Sequence, residues 1–400
     1  MEITSFPITL KKLLTKEQNW YRFRQYNIDK GTPLRPIITT AITQVLSCKH
    51  YARGHAQYYC TNKSCSHEKK VAFTCKNRMC NSCGKVASDK WVEKQKHVLP
   101  KTDFQHITMT MPSELWPLFD LNRDLLTKLP TIANKVILKL GKQKKAVPGI
   151  FTALHTFGRQ LNWNCHVHLS VTRGGLTKDN EWKKLYFVAK NVMAMWRYEV
   201  IDLIRQHYKC GKLILPRDID IRLINQFLDK HYSRHWHIHC AKPQKSAEKD
   251  IAYLGRYIKR PPLSNSRLLH YSGQDVAFEY HDHRTKSDKE LHLSVFEFLD
   301  RLTKHIPEKG FRMIRYAGFL ANRVRGKLLP IVKKLTGSND ELFISHISWR
   351  TLYRKTFGAN PLQCILCQSV LRLAFLRYGL SSLEFESHHT KLALLKIIRA

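Results

Sequence analysis

Six of the chain's eleven cysteines, Cys48, Cys60, Cys65, Cys75, Cys80 and Cys83, crowd into one short N-terminal segment. That segment is rich in Lys, Asn, Ser and Gly and poor in large aliphatics, so it builds no core without a staple. The stretch from Met1 to Trp20 has neither an apolar h-region nor a small-residue cleavage pattern, and no secretory signal is expected. In a non-secreted chain such crowding reads as metal binding, not as a disulfide framework. Cys80 and Cys83 form a Cys-x-x-Cys knuckle and Cys60 and Cys65 a wider pair; together they supply four thiolates for a tetrahedral Zn²⁺. Cys48, Cys75, His50, His55 and His67 remain, enough for a second ion. Cys364 and Cys367 have no nearby partner pair, and Ile365 and Leu366 between them are apolar. They read as a buried helical segment, with a metal half-site as the alternative.

Charge sets the partner. Lys and Arg number 68 against 31 Asp and Glu, a formal net charge of +37 over 400 residues. A globular chain with that excess repels itself unless a polyanion neutralises it. Nucleic acid is the natural choice, since each cation placed on a phosphate releases condensed counterions; an anionic membrane surface is the lesser alternative. A 43% hydrophobic content excludes a wholly disordered chain. No run approaches the roughly 18 apolar residues of a membrane span, and a cytoplasmic protein with no membrane partner is expected.

Composition divides the chain into residues 1–95, 96–300 and 301–400. In the first block 33–46 and 87–98 read as helices, Pro36 suiting a first turn. In the second, 105–111 is β-prone and ends at Pro112, 114–140 has helical periodicity, and 150–157 and 165–172 suggest an antiparallel pair. Helices follow over 190–208, 218–228 and 246–259, with a strand over 236–242. Strands and helices mixed without βαβ alternation predict an α+β fold with an antiparallel sheet. The third block is basic and reads as mainly helical. Arg312, Arg315, Arg323 and Arg325 interleave there with Phe311, Tyr316 and Phe319, a pattern suited to phosphate contacts and base stacking. A solvated helix face with its own core residues is the plain alternative.

His166-Val167-His168 lies in a strand candidate, where alternation puts both imidazoles on one face and Val167 and Leu169 on the other. Two such imidazoles form the base of a divalent-metal site. The pattern by itself is weak, because His237-Ile238-His239 repeats it. Tyr253 and Tyr257 stand one helical turn apart, so both phenols share a face, among Lys249, Arg256, Lys259 and Arg260. Basic surroundings suit phosphate and favour a phenolate.

Taken in order, these motifs resemble the zinc-binding, two-tyrosine HUH rolling-circle transposases of the IS-ninety-one type, nearly end to end. The run from Cys75 to Cys83 resembles the family's zinc motif, with Met79 and Asn81 where His and Pro are expected. Residues 105–112 resemble the first nuclease strand, and 154–158 followed by His166 and His168 the HUH segment. Residues 253–257 with 263–265 resemble the tyrosine motif, and 310–321 and 357–367 the C-terminal blocks. The last block departs at Gln368, where glycine is expected. The strand around His237 and His239 normally carries no metal pair, so those two are read as incidental, though one of them remains open as a third ligand.

The resemblance implies a small zinc-binding domain, then an HUH nuclease domain with a central antiparallel sheet, then the basic C-terminal region. It implies that His166 and His168 hold Mg²⁺ or Mn²⁺, with Asp250, Glu248 or His155 as candidate third ligand. Tyr253 and Tyr257 are the implied nucleophiles, cutting single-stranded DNA to leave a 5′-phosphotyrosine and a free 3′-hydroxyl. Arg256 and Lys259 would join the C-terminal arginines in holding DNA. The alternatives are a plasmid rolling-circle initiator or relaxase and a zinc-containing DNA-binding protein without catalysis.

Overall fold

Alternating runs become strands β1 (Gly54–Cys60), β2 (Glu68–Ala72), β3 (Phe104–Met109), β4 (Val147–Phe157), β5 (Trp163–Leu176) and β6 (Trp182–Lys184). They continue as β7 (Ile238–Cys240), β8 (Leu268–Tyr271), β9 (Asp275–Asp282), β10 (Ser287–Ser294), β11 (Ile314–Gly318) and β12 (Leu371–Tyr378). The computed structural model describes residues 8–241, 255, 260–282, 284–338, 348–381 and 383–388.

The largest sheet runs β11-β4-β5-β3-β7, with β6 paired to β5, and its pairings are antiparallel. Strand alternation gives its faces different work. Val167, Leu169 and Val171 of β5 are fully buried against the helices Arg123–Gln143 and Ala189–Lys209. His166, His168 and Ser170 point the other way. On that second face Phe104, Phe151 and Ala153 pack with Trp91 of the helix Asn81–Val98 and Val332 of the helix Asn322–Leu335. Helices therefore cover both faces, and the histidines lie beside the second layer.

A three-stranded meander, β10-β9-β8, shares one core with the N-terminal helices. Phe23 and Ile42 meet Phe278 of β9 and Phe298 of the helix Val295–Lys304 there, with Cys48, Cys75, Cys80 and Cys83 at its margin. A third sheet runs β12-β1-β2. The α+β class with antiparallel sheets is as expected. The long strands and the helices Pro36–Ser47 and Ala189–Lys209 fall close to their predicted spans, and a proline does occupy the first turn at Pro36.

Three features differ from the sequence reading. The helix expected over 114–140 breaks at Asn122, whose side chain bridges Leu118 O, Ile214 O and the Ile214 N–H at 2.8 Å each; a distant loop stabilises the break. Within the basic third block, 314–318 is a strand that closes the edge of the large sheet beside β4. The same block sends β12 back to pair with β1. Of the helix expected over 246–259, Gly255 alone is described, and it is helical.

Candidate metal centre and cysteine clusters

The large sheet assembles three imidazoles. His155 of β4 lies directly opposite His166 of β5, and His168 follows two residues on. One ring nitrogen from each lies within 4.8 Å of the others. His166 Nδ1 donates to the Asn164 carbonyl at 2.9 Å. His168 Nδ1 stands 3.0 Å from His106 Nε2 and 3.2 Å from Thr108 Oγ1, both on the neighbouring β3. We assign the tautomer in which that nitrogen carries the proton. Both rings then keep Nε2 as a ligand atom, and outer-shell hydrogen bonds of this kind set ring orientation and basicity. Burial pushes all three imidazoles below the usual histidine range, most strongly His155 and His168, for which repulsion from neighbouring imidazoles adds to it. Burial likewise lowers His106 to about 4. At neutral pH the cluster is four uncharged rings, the form that binds a metal.

Of the expected third ligands, His155 is the one brought to the pair; Glu248 and Asp250 lie outside the described residues. His237 and His239 belong to no such cluster among the described residues. Tyr253, Arg256, Tyr257 and Lys259 also lie outside the described residues. Gly255 between the tyrosines is buried, and its carbonyl accepts from Ser88 Oγ at 2.6 Å. A Cβ on Gly255 would meet Val92 Cγ2 at 2.4 Å, so glycine permits the backbone at 255 to approach the Asn81–Val98 helix this closely.

The cysteines form two quartets, grouped differently from the sequence reading. Cys80 and Cys83 gather with Cys48 and Cys75, while Cys60 and Cys65 gather with Cys364 and Cys367. The single centre expected from Cys60, Cys65, Cys80 and Cys83 is not formed, because the β1–β2 hairpin carries Cys60 and Cys65 away. In the first quartet Cys48 Sγ lies 3.7 Å from Cys83 and 3.6 Å from Cys80, and Cys75 lies 3.7 Å from Cys83. The edge of a Zn–S₄ tetrahedron with bonds of about 2.3 Å is about 3.8 Å. Hydrogen bonds from Cys75, Cys80 and Cys83 hold the Cys48 thiol far below its ordinary range. His55, expected as a possible extra ligand, is buried on β1 against Tyr51 and Phe375, outside both quartets.

A family model described as "Transposase zinc-binding domain" matches residues 16–111, and one described as "Putative transposase" matches 149–327. The chain is 40% identical over 375 residues to the "Transposase for insertion sequence element IS801" of Pseudomonas savastanoi pv. phaseolicola, covering 90% of this chain and 88% of that one. This chain belongs to the IS-ninety-one family of insertion-sequence transposases. "Putative transposase y4qJ" of Sinorhizobium fredii (strain NBRC 101917 / NGR234) is 27% identical over 345 residues, 82% of this chain and 86% of that one. No solved structure matches.

The transposase thus carries a zinc-binding domain, with cysteine clusters suited to structural Zn²⁺. A residue between the ligands of the first quartet lies near the histidines. Arg78, two residues before Cys80, lines a small cavity of about 30 Å³ with Arg123, Thr156, Phe157 and His305. Burial lowers the Arg78 guanidinium to about 10, and its charge helps to depress His155. Phe311 and Glu308 line both this cavity and an open groove of about 630 Å³ that contains Arg312, Arg315 and Tyr316. Arg323 and Arg325 lie on the helix Asn322–Leu335, Arg323 exposed and Arg325 half-buried. Among the described residues no helix is long and apolar enough to cross a membrane.

Sequence reasoning missed His106, Thr108 and Arg78. A signal existed for the first two, since Gln105-His106-Ile107-Thr108 alternates on a strand already matched to the nuclease. Arg78 had none beyond its place between cysteines.

Proposed function

We propose that the transposase cuts and rejoins single-stranded DNA through a 5′-phosphotyrosine, with a divalent cation held by His155, His166 and His168. The convergence of three neutral imidazoles on the central strands, two of them fixed at Nδ1, carries this reading. The donor set fits such an ion: three nitrogens leave positions open for water and for a phosphate oxygen. Three imidazoles suit Mn²⁺ better than the oxygen-preferring Mg²⁺. Bound there, the cation would act as a Lewis acid on the scissile phosphate.

The remaining chemistry belongs to the chain. Tyr253 or Tyr257, as phenolate, attacks phosphorus; an O–P bond forms and the bond to the 3′ oxygen breaks. The 3′ oxygen takes up a proton, and the phosphodiester energy is kept for rejoining by the reverse step. Gly255 packs on the Asn81–Val98 helix, whose Trp91 lies against the histidine-bearing face of the sheet, and this supports the reading. Arg78 in the adjoining cavity and the groove arginines supply cations suited to backbone phosphates.

The test is a nicking assay on single-stranded oligonucleotides containing the element's ends. Cleavage with Mn²⁺ or Mg²⁺, none with chelator, and a covalent protein–DNA band lost in the Tyr253→Phe/Tyr257→Phe double variant are expected. Cleavage that survives the double variant would overturn the tyrosine mechanism, and a metal-independent adduct would overturn the histidine centre.

A further inference from the structure

The second quartet is completed from beyond the matched zinc-binding domain: that match covers Cys60 and Cys65 but ends at residue 111, and the other two sulfurs come from Cys364 and Cys367. Cys60 Sγ is 3.3 Å from Cys367 Sγ, Cys65 Sγ is 3.8 Å from Cys364 Sγ, and all four lie within 4.8 Å of one another. A disulfide requires about 2.05 Å, whereas the edge of a zinc–thiolate tetrahedron is about 3.8 Å. All four sulfurs crowd round one point, which pairwise bridging does not require.

The backbone is built for this arrangement from both sides. Cys60 ends β1, and the Cys65 N–H closes the following turn on Asn62 O at 3.0 Å. On the partner segment the Cys364 N–H donates to Ser369 O at 2.8 Å, and the Gln368 N–H to Cys364 O at 3.1 Å. That makes a tight knuckle with Gln368 at φ +62°. Two such turns facing each other present four thiolates while the apolar Leu371, Tyr58 and Leu362 shield the sulfurs. Ile365 and Leu366, read from sequence as a buried helical centre, are each 70% exposed at the knuckle's tip.

We propose that Cys60, Cys65, Cys364 and Cys367 form a second structural zinc centre, a clasp whose ligands come from opposite ends of the chain. A soft, closed S₄ donor set selects Zn²⁺. Its mechanical effect follows from what adjoins it. β12 begins at Leu371, opposite Cys60 of β1, so the clasp sets the register of that pairing. Upstream, the helix Trp349–Phe357 rests on the Asn81–Val98 helix, with Lys355 Nζ 2.5 Å from Glu93 Oε1. Releasing the clasp would free the C-terminal segment from the N-terminal domain.

Zinc content of the purified full-length protein is the test, and it is independent of cleavage. Wild type and an exposed-cysteine control, Cys210→Ser, should each hold two zinc ions per chain by native mass spectrometry. Cys364→Ser/Cys367→Ser should hold one, and protease should release its C-terminal segment sooner. An unchanged count in the double variant would overturn the clasp. Should that variant fail to fold, Co²⁺ reconstitution of wild type decides: two equivalents with sulfur-to-cobalt absorbance support the centre, and one equivalent overturns it. Disulfide-linked Cys60–Cys367 or Cys65–Cys364 peptides in the wild type would overturn it equally.

Discussion

Two cysteine quartets of the same chemistry sit differently in this chain. The inner one, Cys48, Cys75, Cys80 and Cys83, is local in sequence, buried and contiguous with a hydrophobic core. The outer one joins residues some 300 positions apart, has two half-exposed cysteines and shares its small cluster with Leu371. The inner quartet starts the helix Asn81–Val98, which supports both the histidine face of the sheet and Gly255 of the tyrosine segment. The outer quartet touches none of these residues. The inner quartet thus adjoins the proposed catalytic face through one helix, whereas the outer one adjoins the C-terminal segment.

The largest expected effect separates them directly. Cys80→Ser should lose the inner zinc and with it much of the stability of the N-terminal domain, because metal-binding energy is folding energy and the quartet adjoins that domain's core. Thermal unfolding and solubility would read this; a stable, cleaving Cys80→Ser protein would break the comparison. Next, His168→Ala should lower the cleavage rate by roughly 10²–10⁴-fold, the worth of a few kcal/mol of Lewis-acid stabilisation. Zinc content and DNA affinity should stay near wild type, since binding rests on many distributed cations. His237→Ala/His239→Ala, measured beside it, should cleave at a substantial fraction of the wild-type rate.

Gly255→Ala sharpens the coupling to the inner helix. The new methyl meets Val92, and overpacking of this kind costs about 1–3 kcal/mol. Both zinc ions should remain while covalent adduct forms roughly tenfold more slowly or worse. Adduct formation at the wild-type rate would detach the tyrosine segment from that helix. The smallest effect belongs to the outer quartet. Gln368 holds a left-handed φ of +62° where the family resemblance expects glycine. Gln368→Gly should therefore stabilise the knuckle by up to about 1 kcal/mol, seen as slower proteolysis of the C-terminal segment with unchanged cleavage of DNA.

Much of this organisation was legible wherever its signal is local. The alternation in β4 and β5 marks both strands, and the i, i+2 spacing of His166 and His168 marks their shared face. His155 was nameable as a ligand candidate, but its place opposite His166 depends on strand register, which pairing sets and composition does not. The outer quartet is the opposite case. Proximity in sequence groups Cys60 and Cys65 with Cys80 and Cys83, and no spacing rule reaches some 300 positions on to Cys364. The apolar pair Ile365 and Leu366 then suggested burial, whereas the knuckle turns them outward. β11 was hidden for a related reason: in Ile314-Arg315-Tyr316-Ala317-Gly318 the basic and aromatic residues spoke louder than the alternation, which becomes decisive beside β4.

That late arrival of β11 has a consequence for how the chain is made. β4 and β5 can pair as soon as residue 176 is synthesised, yet the far edge of β4 has no neighbour until Ile314–Gly318 emerges, and β1 waits still longer for β12. At about 5–20 residues per second the β4 interval lasts roughly 7–28 s. For that time an apolar strand edge stands open on the nascent chain, a template for the wrong partner. The hazard is set by where the closing strands fall in the gene, and it would ease if the order of segments were permuted so that residues 314–318 were translated first.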